Sequence, residues 1–523
     1  MIGCNGLLLY GFEFFPGAPA MTARERVSSV DTAWLRMDRP ENLMQILGII
    51  VCSGRINDER LKRTVAGRLL RYRRFRQIIT EDADGPCWVD DADFAIEAHV
   101  RRSLLPPPGG KHELQTFVAE MASTPLNPAR PRWEFNVVDT ADGNSTIVIR
   151  IHHAIADGIA LIGVIDSLTD DRADAPTNGG QPATVPAERP ARRQRDASGD
   201  SGSGFWRAVI DPLADVAQAS LSLGGNLWGQ YQGLRRDPAS LLDYASVVRA
   251  VAEEIGRLAL MPDDTHTRFK GKAGTVKRVA WSEPLPLAEI KAVGQALSCS
   301  VNDLLLASVA GAMRSYLVNK GDAVEGVEIR AMVPVNLRQP GDSEELGNHF
   351  GLVALELPLA SDNPLARLYA TRARMAALKS SYQAMLTFAL LGAAGMAPRF
   401  VEEQMLKLLT SKTTAVMTNV PGSPAARFLA GCRIEQQLAW VPQAGDIGIG
   451  VSILSYHGCV RFGLISDRNM VDDPQRITEQ FGREFEKLLW LALLETPDRL
   501  ADPLLVAHDV LTLSSMSRGH ESA

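Results

Sequence analysis

The sequence predicts an α/β protein built as two lobes, and three observations lead there. A chain of 523 residues, 46% hydrophobic and 22% charged, is longer than a single hydrophobic core usually grows, so two cores are expected. Two stretches, one on each side of residues 171–204, mix alternating strand-like runs with helical ones, the pattern of α/β lobes. Residues 171–204 themselves, DRADAPTNGGQPATVPAERPARRQRDASGDSGSG, carry Pro, Gly, Ser and charge with almost nothing apolar, the composition of a flexible linker.

In chain order, residues 1–20 (MIGCNGLLLYGFEFFPGAPA) have an apolar patch but neither a basic n-region nor the Arg- and Ser-rich make-up of a transit peptide. They read as an N-terminal extension. At Met21 a polar start leads into a helical pattern, MTARERVSSVDTAWLRMD. The first lobe, residues 21–170, has strand-like runs at 46–52 and 147–153 and helical ones at 112–121 and 158–168. The second, residues 205–510, opens on a helical region, 205–260. It continues with a strand at 276–283, helices at 285–297 and 301–318, a strand at 328–338, and strands near 352–358, 414–420, 449–456 and 460–466. Residues 511–523 are expected to form a disordered tail. No internal repeat or heptad array is visible.

A formal net charge of −6 and a pI near 5.9 leave no basic footprint, so no nucleic-acid partner is expected. The six cysteines, Cys4, Cys52, Cys87, Cys299, Cys432 and Cys459, are scattered without CxxC spacing. That fits the reduced thiols of a cytoplasmic protein better than a disulfide framework or a zinc site.

The stretch most charged with chemistry is IVIRIHHAIADGIALIGVI, residues 147–165. Its first part alternates with period two, placing Ile147, Ile149, Ile151 and His153 on one face and Val148, Arg150 and His152 on the other. The two histidines therefore point in opposite directions, which argues against a shared metal ion, and no HExxH pattern is present. His153 falls at a strand-to-helix turn, where α/β proteins present reactive groups. Taken singly, either histidine reads better as a satisfied core residue, and Asp157 as a helix N-cap.

Taken together, HHAIADG resembles the HHxxxDG signature of the chloramphenicol acetyltransferase-like superfamily of CoA-dependent acyltransferases. Further blocks narrow the resemblance: PLNPARPRWEF (125–135), SVNDLLLASVAGA (300–312), MVPVNLR (332–338), GNHFG (347–351), TNVPGS (418–423) and SYHGCVRFGLISDRNMVDD (455–473). In order and kind they are similar to those of bacterial wax ester synthase/diacylglycerol acyltransferases, and they span about residues 28–473. Two positions depart: Arg132 stands where that family usually has Leu in its PLW block, and Ser423 where Pro is common after NVPG. They bear on fine substrate preference. HHxxxDG is shared with peptide-synthetase condensation domains and polyketide-associated acyltransferases, but those are not expected to carry the NHFG and SYxGxxxxGLxxD blocks together.

The resemblance implies a two-lobed chloramphenicol acetyltransferase-like fold with mixed sheets and a substrate tunnel at the lobe interface. It implies transfer of an acyl group from acyl-CoA, a co-substrate and not a cofactor, to diacylglycerol or a long-chain alcohol. Forming an ester from a thioester and an alcohol needs a base near the hydroxyl, and histidine suits that task. By the motif His153 is that base, His152 packs away and holds the turn, and Asp157 is a structural acid paired with an arginine, for which Arg338 is the candidate. Gly158 admits close backbone approach and offers an N–H to the oxyanion. Asn302, Arg338, Asn348 and His349 are the candidate substrate-binding residues; no metal or cofactor is expected. Ser300 and Asp303 have capping-box spacing, so Asp303 reads at least as well as a cap as a catalytic group. Gly347, Pro421 and Gly422 read as architectural turn residues.

Two other classes stay open: a condensation-type enzyme using a carrier-bound acyl donor, and a non-catalytic lipid-binding relative. The uncharged segment SSYQAMLTFALLGAAGMAP, residues 380–398, is nearly long enough to span a bilayer, but polar residues, two glycines and a proline dilute it. It reads as an apolar helix lining the acyl tunnel or resting on a membrane or lipid-droplet surface with Met385 and Leu391 exposed, or as an ordinary core helix.

Overall fold

The computed structural model describes residues 24–83, 85–176, 261–337, 346–379, 383–396, 399–510 and 512. The extension 1–20, most of the linker 171–204, the helical region 205–260 and all of the tail but residue 512 lie outside the described residues.

Before the linker the chain forms β1 (Glu25–Arg26), β2 (Gln45–Ser53), β3 (Gln77–Asp82), β4 (Gly85–Asp90), β5 (Val100–Leu104), β6 (Trp133–Asp139), β7 (Ser145–His152) and β8 (Thr169–Asp170). Its helices are α1 (Ser29–Met37), α2 (Asp58–Arg68), α3 (Lys111–Ser123) and α4 (Gly158–Ser167). After it come β9 (Lys277–Trp281), β10 (Leu285–Pro286), β11 (Ile329–Asn336), β12 (Phe350–Leu357), β13 (Ala415–Pro421), β14 (Phe428–Leu429), β15 (Cys432–Trp440), β16 (Ile449–Tyr456) and β17 (Cys459–Asp467). The helices there include α5 (Leu287–Ala296), α6 (Val301–Asn319), α7 (Pro364–Lys379), α8 (Gln383–Met396), α9 (Arg399–Ser411) and α10 (Gln475–Leu494).

Two mixed seven-stranded sheets dominate. The second runs β10-β17-β16-β13-β11-β12, with β9 also on β17; β13 lies parallel to β11 and β16, the other neighbours antiparallel. The first runs β5-β6-β7-β2-β15-β14-β8, parallel only between β5 and β6. Its central strands explain their sequence: β7 is buried along its whole length and β2 along most of it, and strands covered on both faces read as near-continuous apolar runs. A small antiparallel sheet, β1-β4-β3, stands apart.

The sequence divides the chain at the linker, yet in space the halves share a sheet. β15 crosses back and pairs with β2 from Leu47↔Trp440 to Ser53↔Arg433, and β14 bridges on to β8. Without β15 the central strand β2 would be an edge with an unpaired row of backbone groups, and the buried Ile434, Leu438 and Trp440 would have no cover. Of the two large cores, one joins residues from both halves, with Val279, Trp281, Leu454 and Ile465 packed among the residues of the first, and the other is drawn from the second half.

The segment 380–398 yields α8, which packs on α1 and β12. The approach is so close that a Cβ on Gly351 would run into the Ala384 carbonyl oxygen; only glycine fits there. Leu391 is 4% exposed, in a small core with Trp34, Met44 and Phe350, so the expectation of an exposed Leu391 on a surface helix is corrected: the apolar face of α8 is taken up by α1 and β12. Among the described residues no single helix is long and apolar enough to cross a membrane.

Candidate active site between the two sheets

The strand β7 ends at His152, and the helix α4 starts at Gly158. Asp157 caps it, its Oδ1 accepting the Ala160 N–H at 2.8 Å, which satisfies one of the helix's free amides. The second oxygen, Oδ2, accepts the His349 N–H at 2.9 Å, and the Asp157 N–H donates to the Gly347 carbonyl at 3.2 Å. Asp157 is thus both the cap of the sequence reading and a tie between the HHAIADG turn and the GNHFG block. Arg338, its expected partner, lies outside the described residues.

Between cap and strand, His153 is held on every side. Its N–H donates to the Met44 carbonyl at 2.8 Å, and its own carbonyl accepts from Asn348 Nδ2 at 2.9 Å. The same Asn348 nitrogen reaches Asp31 Oδ1 at 2.6 Å. The imidazole stacks on Trp34, ring centres 4.1 Å apart and planes 18° apart, with Phe350 tilted at 5.6 Å. Its Nδ1 is sealed from solvent, and the ring borders the cavity. Burial pushes the imidazole down to about 4 against the pull of the Asp157 charge, so the ring is neutral near pH 7, the state in which one ring nitrogen keeps a lone pair.

His152 points away, as the alternation of STIVIRI predicts. Its Nδ1 accepts the Ala154 N–H at 3.1 Å, so the proton sits on Nε2, 3.4 Å from Asp38 Oδ2. The turn is therefore held from behind by His152 and lined in front by His153.

His153 opens onto a cavity of about 730 Å³, large enough for substantial apolar ligands. Ile46, Gly48, Ile50, Ile149 and Ile151 form its wall from the first sheet, and Met332, Leu352 and Val416 from the second. Asp157, Gly158 and Asn302 also lie in the wall, as do Thr387 and Leu391 of α8. Of the readings offered for residues 380–398, tunnel lining and core packing both describe this placement. Asn302 Oδ1 accepts from Asn419 Nδ2 at 2.8 Å, fixing two amides side by side at the cavity.

Asn348 and His349 stand outside this wall. Asn348 is buried and serves the His153 backbone; the His349 ring is exposed and its backbone N–H serves Asp157. Asp303 completes a capping box with Ser300 at the start of α6, so its cap reading describes the geometry. Gly347 sits at φ 131°, and a Cβ on Gly422 would press on the Ser455 carbonyl oxygen at 2.6 Å. Pro421 and Gly422 border the cavity as well. No three His, Cys, Asp or Glu side chains gather as a metal site among the described residues.

Sequence reasoning missed Trp34, Asp31 and Phe350. The first two sit one helical turn apart on the buried face of α1; an Asp on an otherwise apolar helix face was the available signal. Asp31 is 1% exposed and meets Arg74 at 3.3 Å as well as Asn348, so a buried ion pair anchors the platform beneath His153.

Comparison with known proteins gives this geometry its context. The family model for the wax ester synthase/diacylglycerol acyltransferase catalytic domain matches residues 27–305, and that for the WS/DGAT C-terminal domain matches residues 346–489. A putative diacylglycerol O-acyltransferase of Mycobacterium tuberculosis is 24% identical over 494 residues, covering 91% of this chain and 92% of the relative. A probable diacylglycerol O-acyltransferase of the same species, tgs1, is 27% identical over 418 residues, 79% and 81% of the two chains. Among solved structures, the wax ester synthase/diacylglycerol acyltransferase from Marinobacter aquaeolei VT8 superposes with a TM-score of 0.62 at 19% identity, over 90% of this chain and all of that one. The first condensation domain of the calcium-dependent antibiotic synthetase reaches 0.54 at 15% identity, over 91% and 98%. The two-lobed chloramphenicol acetyltransferase-like fold is common ground among them, and both halves of the sequence match models of the wax ester synthase/diacylglycerol acyltransferase family. This chain belongs to the wax ester synthase/diacylglycerol acyltransferase family and is an acyltransferase.

Proposed function

We propose that this chain moves an acyl group from acyl-CoA to the hydroxyl of an apolar acceptor, diacylglycerol or a long-chain alcohol, with His153 as general base. The observation that carries the reading is a buried, neutral histidine that lines an apolar cavity between two sheets. His153 Nε2 takes the hydroxyl proton as the oxygen attacks the thioester carbonyl. The C–S bond then breaks, and the departing thiolate takes the proton back from Nε2, giving ester and free CoA. The acceptor is itself the nucleophile, so no acyl-enzyme is required. The Gly158 N–H, at the first turn of α4 beside His153, is the candidate donor to the oxyanion.

A resting pKa near 4 makes an isolated imidazole a weak base. The Asp157 charge and the stacked Trp34 face both favour the imidazolium that forms in the transition state, which is where stabilisation raises kcat. The acceptor and the donor chain share a largely apolar cavity, which excludes the water that would otherwise compete for the thioester.

The test is CoA release and product analysis with purified protein and palmitoyl-CoA, offered diacylglycerol, hexadecanol or neither, beside a carrier-protein palmitoyl thioester with the same acceptors. Triacylglycerol or wax ester with stoichiometric CoA supports the proposal. Turnover from the carrier thioester alone places the chain with condensation-type enzymes, and lipid binding without CoA release from any mixture makes it a non-catalytic relative.

A further inference from the structure

Behind the histidine turn, on the side away from the cavity, lies a polar cluster that the transfer step does not touch: Asp38, Arg132 and His152. Asp38 follows the last residue of α1. Its Oδ1 accepts the Met44 N–H at 2.9 Å, and the Met44 carbonyl in turn accepts the His153 N–H at 2.8 Å. The other carboxylate oxygen, Oδ2, lies 3.4 Å from His152 Nε2 and 3.7 Å from Arg132 Nη1. One carboxylate thus reaches both histidines, His152 directly and His153 through the main-chain N–H and carbonyl of Met44.

The protons can be assigned. His152 Nδ1 accepts the Ala154 N–H, so Nε2 carries the hydrogen and donates to Asp38. Arg132 Nη1, 3.5 Å from the same Nε2, has only donors to offer and finds no lone pair there; its partner is the Asp38 carboxylate. The Arg132 carbonyl closes the ring by accepting the His152 N–H at 2.9 Å. Arg132 is the position that departs from the Leu of the PLW block, and in this chain that departure places a cation beside Asp38.

We propose that Asp38 is a positioning residue for acyl transfer: it fixes the His152 tautomer and the His153 backbone together, with Arg132 as its counter-charge. The proposal rests on the reading of His153 as the base. It assigns a purpose to the paired histidines of the motif, one placed in the reaction and one used as a handle by which a remote carboxylate sets the other's position. Asp38→Asn isolates this role, since the amide keeps an oxygen for the Met44 N–H but turns an NH2 toward either His152 Nε2–H or Arg132. His152 must then reverse its tautomer, and the Ala154 N–H loses its acceptor.

The test is steady-state kinetics of Asp38→Asn and Asp38→Glu with palmitoyl-CoA and the preferred acceptor, alongside His153→Ala and thermal melts of each. Expected for Asp38→Asn is a kcat lower by about 10- to 100-fold, the scale on which hydrogen-bond partners that orient metal-binding histidines act, with KM for acyl-CoA unchanged and partial recovery in Asp38→Glu, which restores the carboxylate. Asp38→Asn with wild-type kcat while His153→Ala is inactive overturns the positioning role and leaves the base in place; an active His153→Ala removes the base reading and this proposal with it. A kcat loss that tracks a lowered melting temperature, unrelieved by glutamate, reduces Asp38 to a packing role and also overturns it. If Asp38→Asn does not fold, Asp38→Ser takes its place, with the same expectation of a lower kcat at unchanged KM, and wild-type kcat in folded Asp38→Ser overturns the proposal.

Discussion

At the scale of single residues, the chemistry concentrates on a histidine pressed between aromatic rings. Because burial lowers the His153 pKa to about 4, the acid limb of kcat/KM for the free enzyme is expected well below the ordinary histidine value of about 6.5. A pH–rate profile with its limb near 6.5 would contradict this. The same shift has a stability consequence. Between roughly pH 4 and 6.5 the unfolded chain binds a proton at this position that the folded one does not, so folding stability from this group is complete above the unfolded pKa and declines as pH falls through that window. Denaturant unfolding between pH 7 and 5 checks it: His153→Gln should flatten part of the slope. Trp34 supplies a ring face for the imidazolium, a contact of roughly 0.5–2 kcal/mol. Trp34→Leu is therefore expected to lower kcat by about 2- to 30-fold on that energy, with Trp34→Phe intermediate; equal kcat in all three proteins would dismiss the stack as packing. His153 and its opposite-facing neighbour were legible in the sequence because the strand period alone separates their directions. Trp34 was not, since the fold that lays α1 over the turn is a long-range fact.

Secondary-structure elements set the turn in place, and their sequence signals were uneven. Asp157, Ser28 and Ser300 all cap helices, and caps are local chemistry that sequence shows directly. The placement of α8 was not local: an uncharged apolar stretch reads the same on a membrane, in a tunnel wall or in a core, and only the contact with Gly351 of β12 decides. Gly351→Ala should force α8 off β12, with a loss of stability of about 1–3 kcal/mol as for an overpacked core, read from the denaturation midpoint. An unchanged midpoint would mean that the close approach is absent in solution. Asp157→Ala removes a cap and the acceptor of the His349 N–H together. Its expected cost is at least the ~1 kcal/mol of a lost N-cap, visible as a lower melting temperature.

On the scale of the whole molecule, the two halves are interdependent. Alternation of strand and helix gave the α/β class and two cores, but nothing local announces that β15, encoded after residue 430, belongs beside β2. Its apolar positions suit either sheet, and strand partners far apart in sequence are chosen by the assembled core. The cavity inherits this arrangement, with walls from both sheets. Separately encoded chains 21–190 and 205–523 should accordingly co-purify and recover activity when co-expressed, whereas the first alone, with β2 left as an open edge, should aggregate. Recovery of a soluble, monomeric first fragment would count against the shared sheet.

The central claim, direct proton transfer by His153 inside this cavity, meets its sharpest test in CoA release by purified His153→Ala beside wild type, with palmitoyl-CoA and the acceptor that wild type uses. The account predicts a rate lower by at least about 10²-fold, the lower end for loss of a general base, in a protein that still folds and still binds acyl-CoA. Turnover within a few fold of wild type would contradict it.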